Sequence, residues 1–285
     1  MLLQKLFFLL LMGLTSSVFA QKLVDPLVIP FEWNNNKIHF NVMVNGKGPF
    51  LFMFDTGASG EGRIDSALAA QLNLPVVDQT GNSDGVNISS VNVVSVSSIR
   101  YGSFDKGGVR EVGKFKMISR NYNRNLRAGA KPMMGIIGRD FFEGYLITID
   151  CKKQELVISK GNLEKSDPNT LAYDEPFRIP IQIGKVKTFG NMDTGSNVSM
   201  HLPLKLADSI ATSELKKAGQ GRRANTVFDF MGGTVQDNII LAGNQINNLE
   251  VLFSELAPEV NIGMQLLKNY VITIDQKNQL IQMLP

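Results

Sequence analysis

The chain has 285 residues, 44% of them hydrophobic, with 29 basic and 26 acidic side chains, two histidines and one cysteine. That length buries a substantial core in one large or two small domains, and its near-balanced charge points to neither nucleic acid nor a membrane surface. A single cysteine excludes an intramolecular disulfide, and two histidines leave little for a His-based triad or a multi-His zinc site.

Residues 1–20 read as a secretory signal: Lys5, an apolar run over 6–14, and Val18-Phe19-Ala20 as a small-residue cleavage site before Gln21. The apolar core is shorter than the roughly 20 residues a membrane span needs. Removing it takes one lysine and leaves 28 basic against 26 acidic residues. Segments 27–33 and 38–44 are strand-like and flank Asn34-Asn35-Asn36, which predicts a hairpin, and Asn45-Gly46 turns the chain into an apolar strand ending at Asp55. Apolar residues at helical spacing predict a helix over 64–72, stopped by Pro75. Ser83-Asp84-Gly85 reads as a turn and 87–99 as the strands of a hairpin.

The run 119–131 carries Arg120, Arg124, Arg127 and Lys131 and reads as a solvated basic loop, with a rim on a cleft as the lesser alternative. Cys151 follows Ile149-Asp150 at a strand end, as a structural thiol. Gly161, Ser166-Asp167-Pro168-Asn169 and Pro176 mark 160–176 as a linker. Beyond it, Leu204, Leu206, Ala207, Ile210 and Leu215 predict a helix within 203–217, and 226–240 reads as a second hairpin turning at Gly232-Gly233. Two glycosylation-type sequons, at Asn87 and Asn197, read as accidental, the second because a glycan there would crowd the motif beside it.

The chain repeats itself. Asp55-Thr56-Gly57 and Asp193-Thr194-Gly195 each end an apolar approach, Phe50 to Phe54 in the first half and Phe189 to Met192 in the second. Each is followed by its own Ile-Gly element, Ile136-Ile137-Gly138 and Val260-Asn261-Ile262-Gly263. Tyr145 and Tyr270 lie seven positions after Gly138 and Gly263, and matching Ile-Thr-Ile-Asp runs end twelve positions after them. Matched spacing across two half-chains is an internal repeat. The interval from Asp to Gly is 83 positions in the first half and 70 in the second, and much of the excess falls in 119–131.

At these residues the sequence resembles the aspartic peptidases, pepsin-like in carrying two lobes on one chain and retropepsin-like in the detail of each. The resemblance implies an all-β, two-lobed acid-protease architecture of β-barrels with short helices: a lobe over 21–159, the linker over 160–176 and a lobe over 177–285. It implies an aspartic endopeptidase in which Asp55 and Asp193 share a proton and activate water by general acid–base catalysis. In the family Thr56 and Thr194 reach across to the opposite loop, Gly57 and Gly195 shape the turns, and the segments at Gly138 and Gly263 brace them. Asn261 stands where that brace is normally apolar. Ser196 follows the second motif and can donate to the carboxylate, whereas Ala58 after the first cannot. No cofactor or metal is implied. The partner is a peptide or protein substrate, met by a monomer that touches no nucleic acid and, once the signal is removed, no membrane. Lack of disulfides favours a bacterial protein, exported to the periplasm or secreted. The alternative is a catalytically silent peptide-binding protein on the same fold, and a homodimer pairing each motif with its copy is a further arrangement.

Overall fold

Alternation of apolar residues sets the sheets. In the strand Lys37–Val44, Ile38, Phe40, Val42 and Val44 are buried, and in Arg178–Ile183 the buried residues are Ile179, Ile181 and Ile183. Successive side chains of a strand point to opposite faces, so such rows build a core on one side and leave the other for a site. A computed structural model describes residues 25–285 except 107, 125, 127, 128, 130, 175, 176 and 224. The predicted signal at 1–20 and part of the 119–131 loop lie outside the described residues. Among the described residues, no helix is long and apolar enough to cross a membrane.

The fold is all-β with two lobes, and the halves of the repeat fold alike. In the first lobe, an eight-stranded sheet places Lys47–Asp55 between antiparallel Lys37–Val44 and parallel Gly135–Gly138, with Gly62–Asp65 on the far side of the latter. In the second, a nine-stranded sheet places Val186–Asp193 between antiparallel Arg178–Ile183 and parallel Val260–Gly263, with Met200–Pro203 beyond. A six-stranded sheet joins the lobes through antiparallel Leu146–Asp150 and Val271–Asp275, the two Ile-Thr-Ile-Asp runs. Thr148 lies opposite Thr273, their hydroxyls 3.0 Å apart. Asp150 and Asp275 accept the turn N–H groups of Lys153 and Asn278. Cys151 is buried beside them, and burial pushes its thiol up to about 12.

Several local expectations change. The first predicted helix is real, over Ser66–Gln71, with the Asp65 carboxylate accepting the Ala67 N–H at 2.9 Å as an N-cap. Its counterpart in 203–217 is only a 3-10 turn, Leu204–Ser209, followed by the strand Lys216–Arg222. Helix fails there because the backbone N–H groups of Ala211 and Ser213 go to Asp237 and Thr234 instead. Gly232 and Gly233 lie inside the strand Val227–Val235, where a Cβ on Gly233 would stand 2.5 Å from Leu215. That strand pairs instead with Lys216–Arg222, and the Arg223 N–H donates to the Thr226 carbonyl at 2.8 Å. In the first lobe, 88–99 belongs to one long strand, Ile88–Ser103, whose hairpin partner is Val76–Ser83, and Asn87 lies in the turn between them. The expected linker contributes the strand Thr170–Ala172, paired with Leu280–Leu284 in the shared sheet.

The two hairpin tips meet. Asn225 donates its N–H to Asp84 at 2.5 Å and its side-chain amide to the carbonyls of Asn82 and Asn87. Ser89 and Arg120 donate to the same Asn225 side chain, and Asn87 donates to Thr226. Asn87 and Ser89, the ends of one sequon, thus serve as inter-lobe contacts. Burial raises the Asp84 pKa, but N–H groups from Asn87, Asn225 and Val86 and the Thr226 hydroxyl outweigh it and hold the group at about 2. Because this pKa is depressed, the stabilisation exists above the ordinary carboxylate range and is lost as pH falls through the folded value.

Two outcomes test this frame. Ile147 is fully buried in the shared sheet, so Ile147→Ala should cost about 2–5 kcal/mol in urea unfolding; a loss under about 1 kcal/mol would show a site that collapses freely. Asp84→Ala should accelerate amide exchange at Asn225 and Asn87 while leaving exchange at Thr56 and Thr194 slow. Equal protection of the tips in both proteins would remove Asp84 from the contact.

Candidate active site

Asp55 and Asp193 are the last residues of their strands, in register with Gly138 and Gly263 on the parallel neighbours. The chain must leave each sheet there, and the two exits face each other. Thr56 and Thr194 are fully buried at the meeting point. The Thr56 N–H donates to Thr194 Oγ1 at 2.9 Å and the Thr194 N–H to Thr56 Oγ1 at 3.0 Å. Each hydroxyl then donates across the interface, Thr56 to the Met192 carbonyl and Thr194 to the Phe54 carbonyl, both at 2.9 Å.

Close approach explains the glycines. A Cβ on Gly57 would stand 2.7 Å from Asp193 Oδ1, and one on Gly195 would stand closer still to Asp55 Oδ1. Each loop's glycine thus lies against the other loop's carboxylate, and any side chain would fill the space between them. At Gly138 a Cβ would meet the carbonyl oxygens of Gly60 and Ala58, and at Gly263 those of Val198 and Ser196. The brace segments pack directly on the loops.

The two carboxylates have different surroundings. Met53, Ala58 and Ile136 form a buried apolar cluster beside Asp55, with Tyr122 and Met133 packed against it. Asp55 Oδ1 is buried and has no hydrogen-bond partner in the chain. Burial first, and the Asp193 charge second, raise its pKa well above the ordinary carboxylate range, outweighing Lys37, Arg63 and the Gly57 N–H. Asp193 is anchored instead: the Gly195 N–H donates to Oδ1 and the Asn261 side-chain amide to Oδ2, both at 2.9 Å. Asn261 is the register counterpart of Ile136. Ser196 does not play the expected part, since its hydroxyl lies beside Gly263 and Asn261 occupies the outer oxygen of Asp193.

Residues that sequence reasoning passed over also reach the site. Arg63 pairs with Ile136 in the ladder. The expected solvated loop begins with inward groups: the Tyr122 N–H donates to Asp65 Oδ2 at 2.9 Å, and the Asn123 side chain forms two bonds with the Met133 backbone. The available signal was polar residues interrupting apolar strands, as at Arg63, Asn191 and Asn261. In the second lobe, buried His201 contacts Ser254 Oγ at 2.7 Å and packs between Phe228 and Phe230. Burial, with a smaller contribution from Arg223, lowers the His201 pKa to about 4, so it is neutral in mild acid. Among the described residues, no three His, Cys, Asp or Glu side chains are grouped to hold a metal ion.

Comparison with known proteins agrees with this geometry. Residues 40–141 match a family described as aspartyl protease. No curated protein sequence matches the chain. The fold is similar to the crystal structure of Basic 7S globulin from soybean, with a TM-score of 0.51 and 10% identity over 91% of this chain and 94% of that one. Residues 40–141 thus carry an aspartyl protease family match, within a chain whose all-β, two-lobed fold is similar to that of the soybean globulin.

Proposed function

We propose that this protein is an aspartic endopeptidase that hydrolyses peptide bonds by general acid–base activation of water between Asp55 and Asp193. The observation that carries the reading is the reciprocal fit of Gly57 against Asp193 and Gly195 against Asp55, which brings two carboxylates from separate lobes together. Close carboxylates do not both ionise cheaply, so one proton is shared by the pair. Surroundings decide where it rests. Apolar packing and an unpartnered oxygen favour the neutral acid at Asp55, while two donors favour the carboxylate at Asp193.

In this assignment Asp193 takes a proton from water as that water attacks the scissile carbonyl carbon. Asp55 gives its proton to the carbonyl oxygen, forming a neutral tetrahedral diol. Collapse breaks the C–N bond: the proton gained by Asp193 goes to the leaving amine, and a diol proton returns to Asp55. The same proposal makes the protein an exported monomer acting on peptides or proteins. A catalytically silent peptide binder is the second reading, favoured by the hydrogen-bonded hairpin tips that close the cleft.

Asp55→Asn and Asp193→Asn should each lower hydrolysis of a diverse peptide mixture by about 10²–10⁴-fold or more, with unfolding midpoints little changed. Retained cleavage in either would refute the shared dyad. The acid must keep its proton, so activity should be lost as pH rises through the raised Asp55 titration. Asn261→Leu removes the donor that orients Asp193 Oδ2, and kcat should fall by about tenfold or more with the unfolding midpoint little changed. An unchanged kcat would mean that Asn261 does not position the base.

A further inference from the structure

Ladder register fixes which side chains share the Asp55 wall of the cleft. Arg63 stands opposite Ile136, Ile136 opposite Met53, and Arg63 also opposite Ile118. Paired residues point to one face, and positions two apart on a strand repeat it. Asp55, two on from Met53, and Arg120, two on from Ile118, therefore lie on the face that carries Arg63. Tyr122 follows, packed on the Met53, Ala58 and Ile136 cluster. Its phenol lies within electrostatic reach of Arg63, Arg120 and Asp55.

Besides Asp55 Oδ1, three polar atoms in this wall are buried and lack a hydrogen-bond partner in the chain: Arg63 Nη1, Arg120 Nη1 and the Tyr122 hydroxyl. Among the described residues, neither guanidinium has a carboxylate within ion-pair distance. The nearby Asp65 carboxylate is engaged by the Ala67 and Tyr122 N–H groups. Both arginines are half-buried; leaving a buried guanidinium N–H unpaired is unfavourable, and the planar fork matches a carboxylate through two parallel hydrogen bonds. With Asp55 assigned to the dyad and Asp65 engaged by backbone N–H groups, the guanidinium donors of this wall are left without an acceptor.

We propose that Arg63, Arg120 and Tyr122 form a specificity subsite, on the Asp55 side of the cleft, for the acidic side chain of a peptide substrate. Arg120 is held in place from the opposite lobe, through Nη2 to Asn225 Oδ1 at 3.1 Å, so the subsite is complete only when the hairpin tips are joined. This inference rests on the peptide-cleaving reading but is testable apart from it.

The test uses C-terminally amidated peptides, so that a side chain supplies the carboxylate, in matched sets with Glu, Gln or Lys at each position around the cleaved bond. At one position Glu should exceed Gln in kcat/KM by about tenfold or more. Arg63→Gln and Arg120→Gln should each erase that preference, Arg63→Lys should restore part of it, and Arg63→Glu should turn it toward Lys, a reversal that a purely structural arginine would not produce. Calorimetric binding of the same peptides to the Asp55→Asn protein separates the two ideas. Glu-selective binding without hydrolysis by the unmodified protein supports the subsite and overturns the peptidase reading. Hydrolysis with equal use of Glu and Gln at every position overturns the subsite alone, and absence of both binding and hydrolysis overturns both.

Discussion

A threonine hydroxyl buried at a domain interface needs a partner for its proton and one for its lone pairs, and neither Thr56 nor Thr194 finds them in its own lobe. Each accepts the N–H of the other and donates to a carbonyl of the opposite approach strand. Leaving such groups unpaired would be costly, so the loops reach their satisfied state only together. The meeting of the carboxylates follows from this exchange, as does the need for glycine at 57 and 195. The shared sheet sets the lobes at the required distance, but the threonines fix the loops to within a hydrogen bond.

The frame is symmetric and the walls are not. Both lobes place Asp at a strand end beside a parallel Ile-Gly strand, yet the side chains two residues earlier are Met53 and Ile136 in one lobe and Asn191 and Asn261 in the other. One carboxylate therefore sits in apolar packing and its partner among amides. A duplicated backbone gives two equivalent acids; changing a few side chains on one face makes them chemically unequal without moving the backbone that aligns them.

The repeat made much of this legible. The doubled Asp-Thr-Gly, the two Ile-Gly elements and the Ile-Thr-Ile-Asp runs are local patterns with fixed spacing, and they locate the dyad loops, the braces and the sheet that joins the lobes. Elements decided by long-range pairing were harder. Leu204 to Leu215 has a helical spacing of apolar residues, but Asp237 and Thr234, more than twenty residues later, claim the N–H groups that a helix would have used. Gly232-Gly233 looks like a turn until Leu215 and Ala218 are seen to pack where side chains would be. Asn261 read as a flaw in the brace because its partner, Asp193, lies 68 residues away. Arg120 and Tyr122 were lost in a basic run whose first residues turn inward.

The contact between the hairpin tips has a topological meaning. With Asn225 bonded to Asp84, Asn82 and Asn87, the lobes are tied at three places: the tips, the threonine loops and the shared sheet. Parting the tips costs several hydrogen bonds at once, so a hinge opening of one lobe from the other is opposed there as well as at the threonines.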